Sequence, residues 1–297
     1  MLKRPYRPRH DQNRMRREGD VASARRDYLS GRISENLRRL LAGRYEWMNE
    51  YIEADDVGVE VGCGTGLSKQ FIRAKSYYLS DLADYDWLDH KYVNALSTPF
   101  DSEAFDFVIS SNMIHHVPSP PVFFDEMWRI LKPGGRLLIQ EINASLLMRI
   151  LLRLMRHEGY SFEVNVYDRE AICTDPNDLW SANCAIPNLL FDDLKSFQKN
   201  ISGFKPLMHR HGECIGMVNS GGVIAKTAYI PLPRWALNMV GLTDRLVTTL
   251  APQLFAMQRQ IVLQKCEIVP ANLEQGAPSI ERKVSRMQQR PSGRKAA

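Results

Sequence analysis

Residues 57–72 read VGVEVGCGTGLSKQFI, and this stretch decides the fold class. An apolar run ends near Glu60, three glycines follow at alternate positions (Gly62, Gly64, Gly66), and a helix-like segment starts at Leu67. Glycine has no Cβ, so it can take φ > 0, turn the chain sharply out of a strand and approach a ligand closely. A helix start just beyond aims free N–H groups at the same point. Such a loop marks a nucleotide-like cofactor site on an α/β sheet.

The spacing narrows the cofactor. A dinucleotide fingerprint carries its third glycine five residues after the first, to pack helix on strand beside a pyrophosphate. Here that position is Leu67, and the pattern is G-x-G-x-G. The departure disfavours NAD and FAD. It leaves S-adenosylmethionine ahead of a dinucleotide or a purely structural glycine turn.

Outward from the loop, the chain alternates between two periodicities. Apolar residues at helical spacing from Ile33 to Ile52 predict one or two leading helices, and strands are predicted at 57–61, 76–80, 104–110 and 136–142. A short helix is expected at 67–74 and another at 121–131, stopped by Lys132-Pro133-Gly134-Gly135. Strands and helices alternating in this way give a parallel sheet with helices on both faces. Ligands on such sheets bind beyond the carboxyl ends of the strands. Glu60, Asp81, Ser111 and Asn112 stand at such ends and are expected to converge.

Five segments now stand in series: EVGCGTG, the strand-end Asp81, NALSTPF at 94–100, FDFVISSNMIHHV at 105–117 and LKPGGRLLIQE at 131–141. Their order and spacing resemble the class I S-adenosylmethionine-dependent methyltransferases. The resemblance covers about residues 45–142. It implies an α/β fold with a doubly wound Rossmann-like sheet, mostly parallel with one antiparallel strand, and an inserted α-rich lid. It also implies that Gly62, Cys63, Gly64 and Gly66 lie against the methionine part of the cofactor and that Glu60 helps to hold it. Asp81 would take the ribose hydroxyls, and Asn94-Ala95 would meet the adenine. The usual pair there is Asp-Ala, so Asn94 departs from the pattern, although an amide can serve the adenine amino edge.

Methyl transfer from an activated donor asks the enzyme mainly to align the nucleophile and manage its proton. His116 and His115, directly after Ser111-Asn112, are the best-placed bases, His116 first. The alternative is that the pair shapes the pocket. Beyond Ile142 the family pattern stops until RQIVLQKC at 259–266, the expected final strand. The organisation read from this is a basic disordered tail (1–27), a cofactor-binding core with leading helices (28–142), an insertion forming the acceptor lid (143–258), the last core strand (259–268) and a second basic disordered tail (269–297). The insertion resembles a bacterial subgroup with DP-x-D-x-W-SAN-x-AIP and SGG elements. Within it, His157, Asp175, Asp178, Trp180 and Asn183 are candidates for substrate contact, set against capping and turn roles.

Composition bounds the partners. The chain of 297 residues is 44% hydrophobic and carries +5, but residues 1–26 hold +6 and residues 281–297 hold +5, which leaves the middle at −6. Basic tails allow RNA or anionic lipid as a contact, while solvated ends are the plainer reading; no DNA partner is expected. No run approaches the ~20 apolar residues of a membrane span, and no apolar signal core is evident, so a cytoplasmic location is expected. The five cysteines form no C-x-x-C pair and read as reduced thiols. His209, His211 and Cys214 lie close in sequence, but with no second ligand pair no metal is expected.

A stripe of Trp235, Met239, Leu242, Leu246, Leu250, Leu254 and Met257 is expected to pack on the sheet or lid, the other reading being a lipid-facing surface with peripheral membrane contact. The function expected is methylation of an oxygen on a small-molecule, sugar or lipid-linked acceptor. RNA or protein methylation and non-catalytic cofactor binding are the rivals. Against the first, no Pro-Pro-Tyr type motif follows the fourth strand.

Overall fold

The computed structural model describes residues 4–178 and 180–267. Leu179 and the predicted basic tail at 269–297 lie outside the described residues. In chain order the elements are α1 (Arg14–Glu18), α2 (Val21–Leu29), α3 (Glu35–Tyr45), β1 (Val57–Val61), β2 (Ser76–Ser80), β3 (Phe105–Ser111), α4 (Pro120–Ile130), β4 (Leu131–Ile142), α5 (Leu146–Met155), α6 (Ile186–Phe191), α7 (Leu194–Asn200), β5 (Phe204–Gly212), α8 (Ile215–Val218), α9 (Arg234–Leu250), α10 (Pro252–Phe255) and β6 (Gln258–Lys265).

The strands form one sheet in the order β2-β1-β3-β4-β6-β5. β1 pairs in parallel with β2 and β3, and β3 with β4, while β6 runs antiparallel to both β4 and β5. The sheet is therefore mostly parallel with one reversed strand. Both faces are buried, which is why its strands read as apolar runs rather than alternating ones. One face packs Phe123, Phe124 and Met127 of α4 with Phe191 of α6 and Phe197 of α7. The other packs Leu37, Leu40 and Leu41 of α3 with Met48, Leu67 and Leu79. From β1 the chain passes to β2 on one side, and β3 lies on the other. This is the topological switch point where an open α/β sheet leaves a crevice.

Three segments differ from the sequence-based expectation. The basic stretch expected as a loose tail is helical from His10 and docks on the body: Tyr6 and Tyr160 exchange backbone hydrogen bonds of 2.9 and 2.8 Å, and Met15, Val21, Ala24 and Tyr28 are buried. Its charge hides an apolar set at helical spacing, and its arginines are used in contacts. The stretch 143–258 is not all lid, because α7 and β5 belong to the core sheet and its packing. Finally, the apolar stripe of α9 faces outward: Trp235 is 70% exposed and Leu250 75%, while Leu237, Asp244 and Thr248 face in. Asp244 fixes that rotation. Its carboxylate accepts the N–H groups of Cys214, Ile215 and Gly216 at 2.8–3.0 Å, a demand that no apolar residue on the other face can meet.

Candidate active site

The glycine loop leaves β1 in the left-handed region at all three glycines, with φ of +66°, +50° and +60° at Gly62, Gly64 and Gly66. A Cβ on Gly62 would sit 2.4 Å from Met113 Cγ, whereas one on Gly64 would meet nothing within 4 Å. Gly64 thus presents bare backbone to open space. The Asp81 carboxylate, just past β2, accepts the N–H of Gly64 at 2.8 Å and of Ala83 at 2.9 Å. Each carboxylate oxygen keeps a lone pair that a diol could use.

Glu60 lies beneath the loop, 1% exposed. Its Oε2 accepts the hydroxyls of Ser68 and Tyr77, the latter at 3.0 Å, and its Oε1 is buried with no hydrogen-bond partner. Burial pushes the Glu60 carboxyl up to about 7, against the two hydroxyls and with help from nearby Asp81. A buried acceptor without a donor is costly, so this atom is a candidate to receive a donor from a ligand. Cys63 is buried and its thiol is pushed far up by burial, Glu60 and Asp81, so it stays protonated and is not a nucleophile.

α2 crosses the loop. Arg25 donates to the Thr65 carbonyl at 2.7 Å and lies over the Trp87 ring at 5.1 Å, while the Trp87 indole donates to the Gly64 carbonyl at 3.0 Å. Neither residue carried a sequence signal beyond the charge of its segment. Asn94 Oδ1 accepts the N–H of Leu96 at 3.0 Å and so shapes its own turn, and Ala95 packs on the α4-side core. Ser111 meets the Tyr45 hydroxyl at 3.3 Å; Asn112, at φ +52°, accepts from Gln258 Nε2 at 2.9 Å.

Beyond Asn112 a single helical turn carries His115 and His116. Their rings lie 4.2 Å apart. His115 is buried and its Nδ1 lies 2.8 Å from Glu141 Oε2; His116 Nδ1 lies 3.0 Å from the Ser181 carbonyl. Both Nε2 atoms face Glu158, each 3.7 Å from one of its oxygens. Burial works against charge on His115, but Glu141 outweighs it and raises the imidazole. His116 is pushed down to about 4 by burial and then by His115, so it is neutral near neutral pH. Burial acts to raise Glu158, and His157, His115 and His116 together hold it well below the usual carboxylate range.

The five substrate candidates separate. Asp175, Asp178 and Trp180 line a cavity of about 510 Å³ between residues 7–16 and 172–182. Asp175 also holds the turn at Asn177, and Asp178 pairs with Arg16. Asn183 is buried and spent internally, accepting from Ser161 and Ala185 and donating to the Ser161 carbonyl. His157 turns toward Glu158, with Nδ1 3.5 Å from Oε2. The cavity shares Ser181 and Thr174 with the bonds that hold His116. Sequence reasoning missed Glu141 and Glu158. Glu141 stood at a strand end, a usable signal, but Glu158 stood in an insertion without one.

His209 and His211, by contrast, sit on β5 beside the fully buried Arg259, whose guanidinium adds to burial in lowering both to about 4. A fixed cation there opposes a metal. Among the described residues, the group able to hold one is His115, His116 and Glu158.

Residues 25–178 match the family model described as a methyltransferase domain. Among curated proteins, the chain is similar to a chloroplastic tocopherol O-methyltransferase of Arabidopsis thaliana, 32% identical over 99 residues that cover 27% of this chain and 28% of that protein. It is also similar to a demethylmenaquinone methyltransferase of Clavibacter sepedonicus, 39% identical over 62 residues covering 21% and 25%. The chain thus spans about a quarter of the length of these relatives. A solved SAM-dependent methyltransferase of Archaeoglobus fulgidus aligns over 77% of this chain and 94% of its own, with 15% identity and a TM-score of 0.47.

Proposed function

The chain belongs to the methyltransferase domain family, and from that premise we propose that it transfers a methyl group from S-adenosylmethionine to an oxygen of a small-molecule acceptor. The observation that carries the reading is the Gly62–Gly66 loop, held open by three left-handed glycines and tied to Asp81 through the Gly64 N–H.

The chain's residues fit each part of that cofactor. Asp81 has lone pairs for the ribose hydroxyls, Gly64 offers close backbone approach, and the free Oε1 of Glu60 suits a cationic amino group or a loop N–H drawn toward it. Asn94-Ala95 lies next along the chain for the adenine. When bound, the cofactor supplies an electrophilic methyl on a sulfonium. The protein then has to place an acceptor oxygen in line and remove its proton. His116 is neutral, with Nδ1–H committed to the Ser181 carbonyl, so Nε2 carries the lone pair needed for that removal. The 510 Å³ cavity bounded by Asp175, Asp178 and Trp180 is of a size for a small acceptor.

A lipid-linked acceptor is favoured over a freely diffusing one by the outward apolar face of α9 and α10, where Trp235, Met239, Leu242, Leu246, Leu250, Leu254 and Phe255 are all exposed. Isolated exposed apolar residues are ordinary, but a continuous face of this size marks an interaction surface. No helix of the described residues is long and apolar enough to cross a membrane, so the contact proposed is peripheral. The relatives named for tocopherol and demethylmenaquinone methylation support an apolar acceptor.

The test is incubation of the protein with methyl-labelled cofactor and a lipid extract, with identification of the labelled product. Label in an apolar metabolite, absent with Asp81→Ala, supports the reading. Label only in RNA or protein, or in nothing, overturns it.

A further inference from the structure

Two imidazoles and a carboxylate converge at Glu158. The Ser181 carbonyl can only accept, so the 3.0 Å contact to His116 Nδ1 puts that ring's proton on Nδ1 and its lone pair on Nε2. Glu141 takes the Nδ1–H of His115 at 2.8 Å and turns that ring's Nε2 toward Glu158. The Nε2 atoms of both rings then face the oxygens of Glu158 at 3.7 Å, beyond hydrogen-bond range, with His115 and Glu158 buried and His116 partly so. Three ligating side chains converge there with no direct hydrogen bond among them, and a metal would take the place of any proton on His115 Nε2. His157 Nδ1 is buried without a hydrogen-bond partner, 3.5 Å from Glu158 Oε2. The Cys184 thiol donates to the same oxygen at 3.5 Å and leaves Oε1 for a ligand.

We propose that His115 Nε2, His116 Nε2 and the Glu158 carboxylate form a binding site for a divalent transition metal, with Zn²⁺ the best match. Two imidazoles and one carboxylate are a donor set of catalytic zinc sites, which keep a fourth position for water or substrate. Bonds of ~2.0–2.2 Å in a tetrahedron set ligand atoms ~3.4 Å apart; here one ligand atom from each residue lies within 4.8 Å of the others, each Nε2 being 3.7 Å from a different oxygen of Glu158, so metal binding draws the three side chains together. The second shell is already in place: a carboxylate on one ligand histidine and a backbone carbonyl on the other fix tautomer and ring orientation, as they do around bound metals. Imidazole donors favour zinc over magnesium or calcium, which select all-oxygen sets.

The three ligands come from two segments, and a third clamps them. The His115 carbonyl accepts the Asn183 N–H at 2.8 Å, Thr174 donates to the His116 carbonyl at 2.7 Å, and the Cys184 N–H bonds the Gly159 carbonyl at 2.9 Å. The 173–184 stretch therefore acts as the buckle of this site. Binding of the metal does not rest on the methyl-transfer reading; only its use does. In a metal-bound state His116 Nε2 would be a ligand in place of the base described above, and the Lewis acid would lower the pKa of an acceptor hydroxyl instead.

The experiment uses the full chain, stripped with a chelator and passed into metal-free buffer. Zn²⁺ is titrated by calorimetry, retained zinc is measured by mass spectrometry after gel filtration, and Co²⁺ is added separately as a spectroscopic probe. One equivalent of zinc retained, an intense visible Co²⁺ spectrum, and affinity at least about 100-fold weaker in both His116→Gln and Glu158→Gln support the site. Circular dichroism and melting confirm that the two variants fold, and His209→Gln serves as the control that keeps full affinity. No retained zinc in the intact chain, unchanged affinity in both variants, or loss in His209→Gln instead overturns the proposal.

Discussion

The Asp81 carboxylate accepts the backbone N–H of Gly64 at 2.8 Å, joining the end of β2 to the middle of the glycine loop that leaves β1. One contact thereby ties a candidate diol-binding acid to the loop against which the rest of the cofactor would lie. Because Gly64 is left-handed and open above, the acid and the bare backbone face the same space.

Glu60 makes cofactor binding pH-dependent. Its folded carboxyl titrates at about 7, raised by burial from an ordinary value of 4.5. For a raised acid, the stability that it contributes to the empty protein is fully present below about 4.5 and is lost as pH rises through about 7. A cationic partner favours the ionised form, so affinity for S-adenosylmethionine should rise with pH between 5.5 and 7, by up to about tenfold per unit. Calorimetry in matched buffers reads this slope, and Glu60→Gln should flatten it. An unchanged slope in the variant would place the titration elsewhere.

Gly62→Ala should destabilise the fold by about 2–4 kcal/mol. Its φ is +66° and the new Cβ would stand 2.4 Å from Met113 Cγ, so backbone strain and overpacking act together. Urea unfolding measures the loss. Pairing with Met113→Ala should recover the steric part and leave the part due to φ.

Arg25→Ala should weaken cofactor binding about 5–30-fold with little change in melting. It removes the 2.7 Å bond to the Thr65 carbonyl and the cation over Trp87, together worth about 1–2 kcal/mol. Hydrogen exchange across residues 62–66 should rise in the same variant. If exchange and affinity both stay at wild-type values, α2 does not brace the loop.

The two faces of α9 should respond in opposite ways. Leu242→Asp with Leu246→Asp should leave stability within about 1 kcal/mol, since both side chains are 59% exposed, yet reduce sedimentation with vesicles of phosphatidylglycerol and phosphatidylcholine. Asp244→Ala should cost about 2–4 kcal/mol by leaving three N–H groups without their acceptor. Vesicle binding unchanged in the double variant would contradict the membrane-contact reading.

These predictions mark where sequence was informative and where it was not. The strands around Glu60, Asp81 and Ser111 were legible because a doubly buried parallel sheet writes apolar runs with punctuated ends. The sense of α9 was not. A stripe shows that two faces differ, and only the Asp244 carboxylate, bound 28–30 residues away in the chain, shows which one turns inward. The N-terminal segment was obscured by its charge: nine basic residues outweigh the spacing of Met15, Val21, Ala24 and Tyr28 that buries it. Glu158 joins His115 and His116 only through the folding of residues 156–184, so no local spacing announces the cluster.

The most direct measurement of the central claim is a calorimetric titration of S-adenosylmethionine into the intact chain and into Asp81→Ala. Removing a carboxylate that takes two hydroxyls should cost about 2–3 kcal/mol, or about 30–150-fold in affinity, while the variant keeps the wild-type circular dichroism spectrum. Micromolar binding in the wild type that falls by this factor supports a cofactor seated on Asp81 and the Gly62–Gly66 loop. Absence of binding in the intact protein, or equal affinity in a folded Asp81→Ala, contradicts it.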